Sequence, residues 1–263
     1  MLRRNPLSFI FLIIGFGIIL FVGAALFNLI YKTLFLNTDN FIAIMRDPAV
    51  LRSIWLTLYT SFIATLISIF FGIPIAYVLA RHDFPGKQLI ESIIDIPIII
   101  PHTVAGIALF SLLMRKGTVG GIFESLGIVF QDSMWGIVAA MLFVSYPFFV
   151  NSAKEGFASI NPNIEKVART LGASQSHAFF HITLPLSIRH ILSGAIMSWA
   201  RGVSEFGAIV VIAYYPMIAS TLILYRFNTG GLSESQPIAV LLILICFVTF
   251  LAFRMASKKK WRK

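Results

Sequence analysis

Polar residues are few and clustered along this chain, and the blocks between them are long. Residues 7–31 and 53–80 carry no charge at all. A helix rises about 1.5 Å per residue, so about 20 apolar residues cross a hydrocarbon layer roughly 30 Å thick. Six stretches approach or exceed that length: 7–31, 53–80, 89–114, 133–153, 190–213 and 237–253. The third carries Glu91 and Asp95 near its start, and Arg201 and Glu205 interrupt the fifth. The pattern predicts an all-α integral membrane protein with six transmembrane helices. Pro74, Pro97, Pro101 and Pro147 fall inside these spans, where neighbouring helices can satisfy the freed carbonyls. No glycine spacing singles out a helix pair.

Composition agrees, with 58% hydrophobic and 12% charged residues, against about 25% charged in soluble domains. No single water-soluble core could hide so much apolar surface. The net charge of +10 raises the question of nucleic acid, which its distribution answers. An even number of spans puts both ends on one side. Fourteen of the 21 Lys and Arg lie on that side, six lie opposite, and Arg201 is the remaining one. The bias places both termini in the cytoplasm. The basic tail then reads as an anchor beside anionic lipid headgroups, with no nucleic-acid partner. The first apolar block is far longer than the roughly 7–15-residue core of a secretory signal, so it is expected to stay as a helix.

Enzyme chemistry finds no foothold. "PGKQ" lacks the upstream glycine and the hydroxyl residue of a phosphate-cradling loop, and neither H-E-x-x-H nor G-x-S-x-G occurs. Cys246 is the sole cysteine, and His82, His102, His177, His181 and His190 show no metal-ligand spacing. The expectation is a chain with no catalytic site, metal or cofactor of its own.

The longest polar segment, "EKVARTLGASQSHAFFHITLP" at 165–185, is therefore cytoplasmic. Asn161 is placed to cap a helix whose first turn holds Pro162. Ile164, Val167, Ala168 and Leu171 then form one apolar face. Gly172 stops that helix, and Ser174 caps a second one bearing Ala178, Phe179 and Phe180. Pro185 marks the start of the fifth span. Such a segment either packs on its own membrane domain or is a surface for a partner to cover.

The segment resembles the signature of ABC-importer permeases: E-A-A, three residues, Gly, nine residues, I-x-L-P. Lys166, Val167, Ala168, Gly172, Ile182, Leu184 and Pro185 occupy those places, with Lys166 for the Glu and Val167 for the first Ala. From about residue 50 to 255 the chain looks like a type I importer permease. That likeness implies a multi-pass protein of the cell (plasma or inner) membrane. Residues 1–52 would form an N-terminal helix and external loop, 53–256 the permease core, and 257–263 a basic cytoplasmic tail. It further implies a homodimer, two ATPase subunits that hold ATP and Mg, and an extracytoplasmic binding protein. Residues 161–185 would be coupling helices, with Phe179 and Phe180 as apolar anchors, Ser174 as a cap and Gly172 setting their angle.

A second likeness concerns cargo. "SWARGVSEFGAIVVIAYYP" resembles the fifth span of permeases for tetrahedral oxyanions, with Ser204 in place of Gly. "DIPIIIPHTVAGIAL" resembles molybdate permeases, with His102 where Pro is common. Together with "YYPMIASTLILYRF" they are most similar to the molybdate/tungstate branch, with sulfate or thiosulfate the alternative. Arg201 and Glu205 are four apart near the centre of a span, where an ionisable residue is functional by default. Either they neutralise each other and pin a helix contact, or Arg201 meets the oxyanion directly. Residues 214–227 are too apolar for a plain loop and too short to cross the membrane. They are expected to fold back, so that Thr103, Ser220 and Thr221 line a constriction with the Pro97–Pro101 region. The alternative is a short interfacial helix. An ion-driven secondary transporter or channel would need relay residues and usually internal repeats, and residues 1–130 and 131–263 show no convincing repeat.

Overall fold

The computed structural model describes residues 6–259. Arg3, Arg4 and the side chains of the basic tail at 257–263 lie outside the described residues. The order is α1 (Pro6–Tyr31), a π-helical turn (Lys32–Leu36), α2 (Thr38–Arg46), α3 (Pro48–Arg81), α4 (Lys87–Ile99), α5 (His102–Leu113), α6 (Gly120–Ser125) and α7 (Met134–Ala158). Then follow α8 (Pro162–Thr170), α9 (Gln175–Ala178), a second π-helical turn (Phe179–Thr183), α10 (Leu184–Val203), α11 (Ile209–Ile212) and α12 (Ala219–Lys259).

Among the described residues, five helices are long and apolar enough to span, or six if one bent pair counts as a span. Three of the expected spans differ from their expected form. The third is broken: α4 and α5 meet at a bend of 114°. Pro101 has no N–H to continue a helix and holds Ile100 extended, at φ −75 and ψ 146. The fifth ends at Val203 and not near 213, giving way to a turn and the short α11. The sixth is helical from Ala219 onward but breaks at Gly231 (φ 69, ψ −156), a conformation that favours glycine.

The chain forms two compact units. In the smaller, residues up to Leu51 join Ile223–Cys246. There Arg226 pairs with Asp47 at 3.0 Å and Glu234 at 3.3 Å, and the Asn40 amide donates to Ser233 O. Helix α1 is apolar on every side, and its most apolar stretch is unburied in the chain, as befits a helix facing lipid.

In the larger unit, Arg52–Leu222 with the chain from Phe247, α7 is the central helix. Ile137, Met141, Val144, Phe149 and Phe157 are among its fully buried side chains. Helix α10 lies along it through Gly194, Ser198 and Gly202, all buried. A Cβ on Gly194 would sit 2.9 Å from Ser152 Cβ, and one on Gly202 would sit 2.5 Å from Ser61 Oγ. Lipid tails are as apolar as the helices, so association relies on close backbone approach, which small residues permit. The small-residue repeat in "GAIMSWARG" thus marks a helix pair that the sequence reading did not single out. Ser61 adds a hydrogen bond from its hydroxyl to Trp199 O, 2.7 Å, fixing α3 to the same helix.

Candidate functional site

The polar segment is built from capped pieces. Asn161 Oδ1 accepts the Asn163 N–H at 3.0 Å, Ser174 Oγ accepts the His177 N–H at 3.1 Å, and Gly172 turns the chain at φ +98. What holds α8 in place is Glu165. Its carboxylate accepts from Arg81 Nε at 2.9 Å, from the Tyr77 hydroxyl at 2.9 Å and from the Thr183 hydroxyl at 2.8 Å, with Arg81 Nη2 in ion-pair contact at 2.8 Å. Arg81 also donates to Ile160 O at 2.9 Å. None of Glu165, Tyr77 and Arg81 was picked out from the sequence. The available signals were a lone carboxylate within 161–190 and an arginine ending an uncharged span.

Burial alone would raise the Glu165 pKa, but the hydrogen bonds from Thr183 and Tyr77 and the Arg81 guanidinium together bring it below the usual value. A depressed folded value means that the contact stabilises fully above the unfolded carboxylate pKa and is lost as pH falls through the folded one. Amide protection of α8 is therefore expected to hold from neutral pH to about pH 5 and to fail only in stronger acid. Glu165→Gln should lower that protection at neutral pH, and hydrogen exchange reads both effects. Unchanged protection in the variant would remove Glu165 as the tether.

With Glu165 turned inward, the apolar side of α8 points out: Ile164, Val167 and Leu171 are 43, 57 and 83% exposed. The expected aromatic pair divides. Phe179 packs against Tyr77, with ring centroids 4.8 Å apart, and near Phe157 at 6.1 Å. Only Phe180 stands out, 60% exposed. The paired surface anchor is thus corrected to one outward ring, because the π-helical turn aims the two side chains differently. Lys166 is exposed, Ala168, Ile182 and Leu184 are half-buried, and Pro185 lies at the start of α10.

A second cluster sits where the third and fifth spans break. Glu205, 1% exposed, receives Arg201 Nη2 at 3.0 Å and His102 Nδ1 at 3.1 Å on one oxygen. The Ala208 N–H, at 2.8 Å, reaches the other oxygen. Arg201 Nη2 also lies 2.8 Å from His102 Nε2, and Nη1 donates to Ser204 Oγ at 3.0 Å. Arg201 Nη2 is also 3.1 Å from His102 Nδ1, so an unprotonated ring nitrogen can accept from the guanidinium. Both terminal nitrogens of Arg201 are thereby engaged within the chain. Two glycines make the crossing tight. A Cβ on Gly207 would lie 2.7 Å from His102 Cβ, and one on Gly106 would lie 2.8 Å from Ala208 O.

The remaining predicted residues adjoin this turn in different ways. Ser220 Oγ donates to Glu205 O at 3.2 Å, and Thr103 is exposed next to Gly207. Thr221 is fully buried, its hydroxyl bonded to Ile218 O, so it stands behind any open surface. Residues 218–222 do fold into protein: Ile218, Ala219 and Leu222 are buried, and the Ala219 N–H donates to Thr57 Oγ1 at 2.9 Å.

Comparison with known proteins supplies the family of this bundle of bent spans and its capped polar segment. Residues 72–262 match the family described as binding-protein-dependent transport system inner membrane component, and the chain belongs to that family. Among its relatives, the molybdate/tungstate transport system permease protein WtpB of Pyrococcus furiosus is 44% identical over 96% of both chains. The protein of that name in Methanocaldococcus jannaschii is 43% identical over 83% of this chain and 86% of its own. A probable sulfate transport system permease, cysT of Chlorokybus atmophyticus, is 33% identical over 78% of this chain and 73% of its own. The fold is that of a bacterial alginate ABC transporter crystallised with its pentasaccharide-bound periplasmic protein. That likeness has TM-score 0.75 at 20% identity and covers 100% of this chain and 97% of that one.

Proposed function

We propose that this chain is the permease subunit of an ATP-driven importer that carries molybdate or tungstate inward from an external binding protein. The cargo rests on the full-length likeness to permeases named for those oxyanions, with the sulfate permeases more distant. The observation that carries the mechanism is the tethered segment. Glu165 fixes α8 to the end of α3 while Val167, Leu171 and Phe180 are left bare, a face suited to an ATPase subunit. ATP and Mg would be held there and not by this chain. The working unit is read as two copies of the permease with two ATPase subunits in the cell membrane, both permease termini being cytoplasmic. Residues 53–256 are read as the transport core. Thr103 and Ser220, flanking the turn that Glu205 holds, would border the outer constriction.

The test is ATPase stimulation in proteoliposomes holding permease and ATPase, with the binding protein loaded in turn with molybdate, tungstate and sulfate. Stimulation is expected with the first two. Stimulation by sulfate alone would move the cargo to the sulfate class. Uptake by the permease alone under an ion gradient would replace the ATP-driven reading with a secondary transporter.

A further inference from the structure

We infer that the α8 surface binds its ATPase partner by charge as well as by apolar contact: the partner presents a carboxylate to Lys166 and Arg169. This rests on the coupling role proposed above and adds the chemistry of the docking partner. The only carboxylate in residues 161–190 is Glu165, and it is taken up by Arg81, Tyr77 and Thr183 on the inward side. Lys166 and Arg169 are exposed, and no ion pair to either occurs among the described residues. They line a cleft of about 480 Å³ with Thr170, Ala173, Ser174 and Gln175, beside the glycine break.

Position on the helix explains how the two kinds of contact combine. At 100° per residue, Lys166 lies about 100° round from Glu165, Arg169 about 40° and Thr170 about 140°, so the cations occupy the flank of α8 between the inward anchor and the apolar strip that begins at Val167. A partner seated on Val167 whose edge reaches round to Thr170 also covers the cleft. Covering two cations without a counter-charge is unfavourable, whereas an acidic side chain entering the cleft meets both of them and the Gln175 amide. Charge complementarity at such a rim speeds association and rejects wrong partners, so Lys166 and Arg169 act as specificity-determining residues.

The test uses the full-length permease in nanodiscs and its purified ATPase subunit. Zero-length carbodiimide coupling is expected to join Lys166 to an Asp or Glu of the ATPase, identified by mass spectrometry. The pair Lys166→Glu with Arg169→Glu should weaken assembly on the order of tenfold at low salt and flatten its salt dependence. Full assembly by the charge-reversed pair, or no Lys166 cross-link, overturns the inference. If instead the reversal matters only in nanodiscs of anionic lipid, the cations serve a headgroup and the inference is likewise overturned. Phe180→Asp separates the two levels. If that change alone blocks assembly, docking stands and only the charge assignment falls. If neither variant has an effect, the coupling role itself is lost.

Discussion

Glu205→Leu is expected to lose about 3–5 kcal/mol, the usual result of leaving one member of a buried ion pair without its partner. The change strands the Arg201 guanidinium beside His102, and it removes the carboxylate oxygen that accepts the Ala208 N–H. The glycine contacts at 106 and 207 leave no room for the turn to settle elsewhere. Replacing both charges, as Arg201→Met with Glu205→Leu, should recover much of the loss, since the desolvated charge then disappears with its partner. Thermal unfolding of the four proteins in detergent gives the coupling energy. A single variant as stable as the parent would mean that the carboxylate does not hold the two broken spans together.

The two phenylalanines of the 161–185 segment should respond oppositely to the same substitution. Phe180 is 60% exposed and meets Phe179 edge-to-face at 5.0 Å, outside the buried core, so Phe180→Asp is expected to leave unfolding within about 0.5 kcal/mol of the parent. Its effect should fall on the partner. A central aromatic contact worth about 2 kcal/mol corresponds to roughly 30-fold weaker ATPase assembly. Phe179→Asp instead puts a carboxylate against Tyr77 and Phe157 and should destabilise the chain by about 2–4 kcal/mol. Pairing a melting curve with an ATPase pull-down distinguishes them. Equal behaviour of the two variants would remove the inward and outward assignment.

Much of this was legible because the sequence signal was long or local. The uncharged blocks 7–31 and 53–80 became α1 and α3 with boundaries shifted by a few residues. The caps at Asn161 and Ser174 and the left-handed Gly172 needed only neighbouring residues to be recognised. Breaks in the spans were harder. A run such as 89–114 scores as one apolar block whether or not Pro101 bends it, since hydropathy carries no direction. The end of α10 at Val203 was hidden for a related reason: "EFGAIVVIA" is as apolar as a span, but its local backbone bonds build a turn and the short α11 instead of continuing α10. Partners distant in sequence were invisible. Arg81 and Glu165 are 84 residues apart, and His102 and Arg201 are 99 apart. Their pairing follows from the way the bundle closes.

The Glu165 tether has a mechanical consequence. One oxygen of its carboxylate is tied to Arg81, the last residue of α3, and also to Thr183, the residue before α10. On the proposed coupling role, a push delivered to α8 would therefore be shared between α3 and α10 at the ends that meet the polar segment, instead of travelling along the chain into one. The segment would then work as a yoke: load applied at a single point displaces both shafts in step, and each connection is a hydrogen bond of 2.8–2.9 Å.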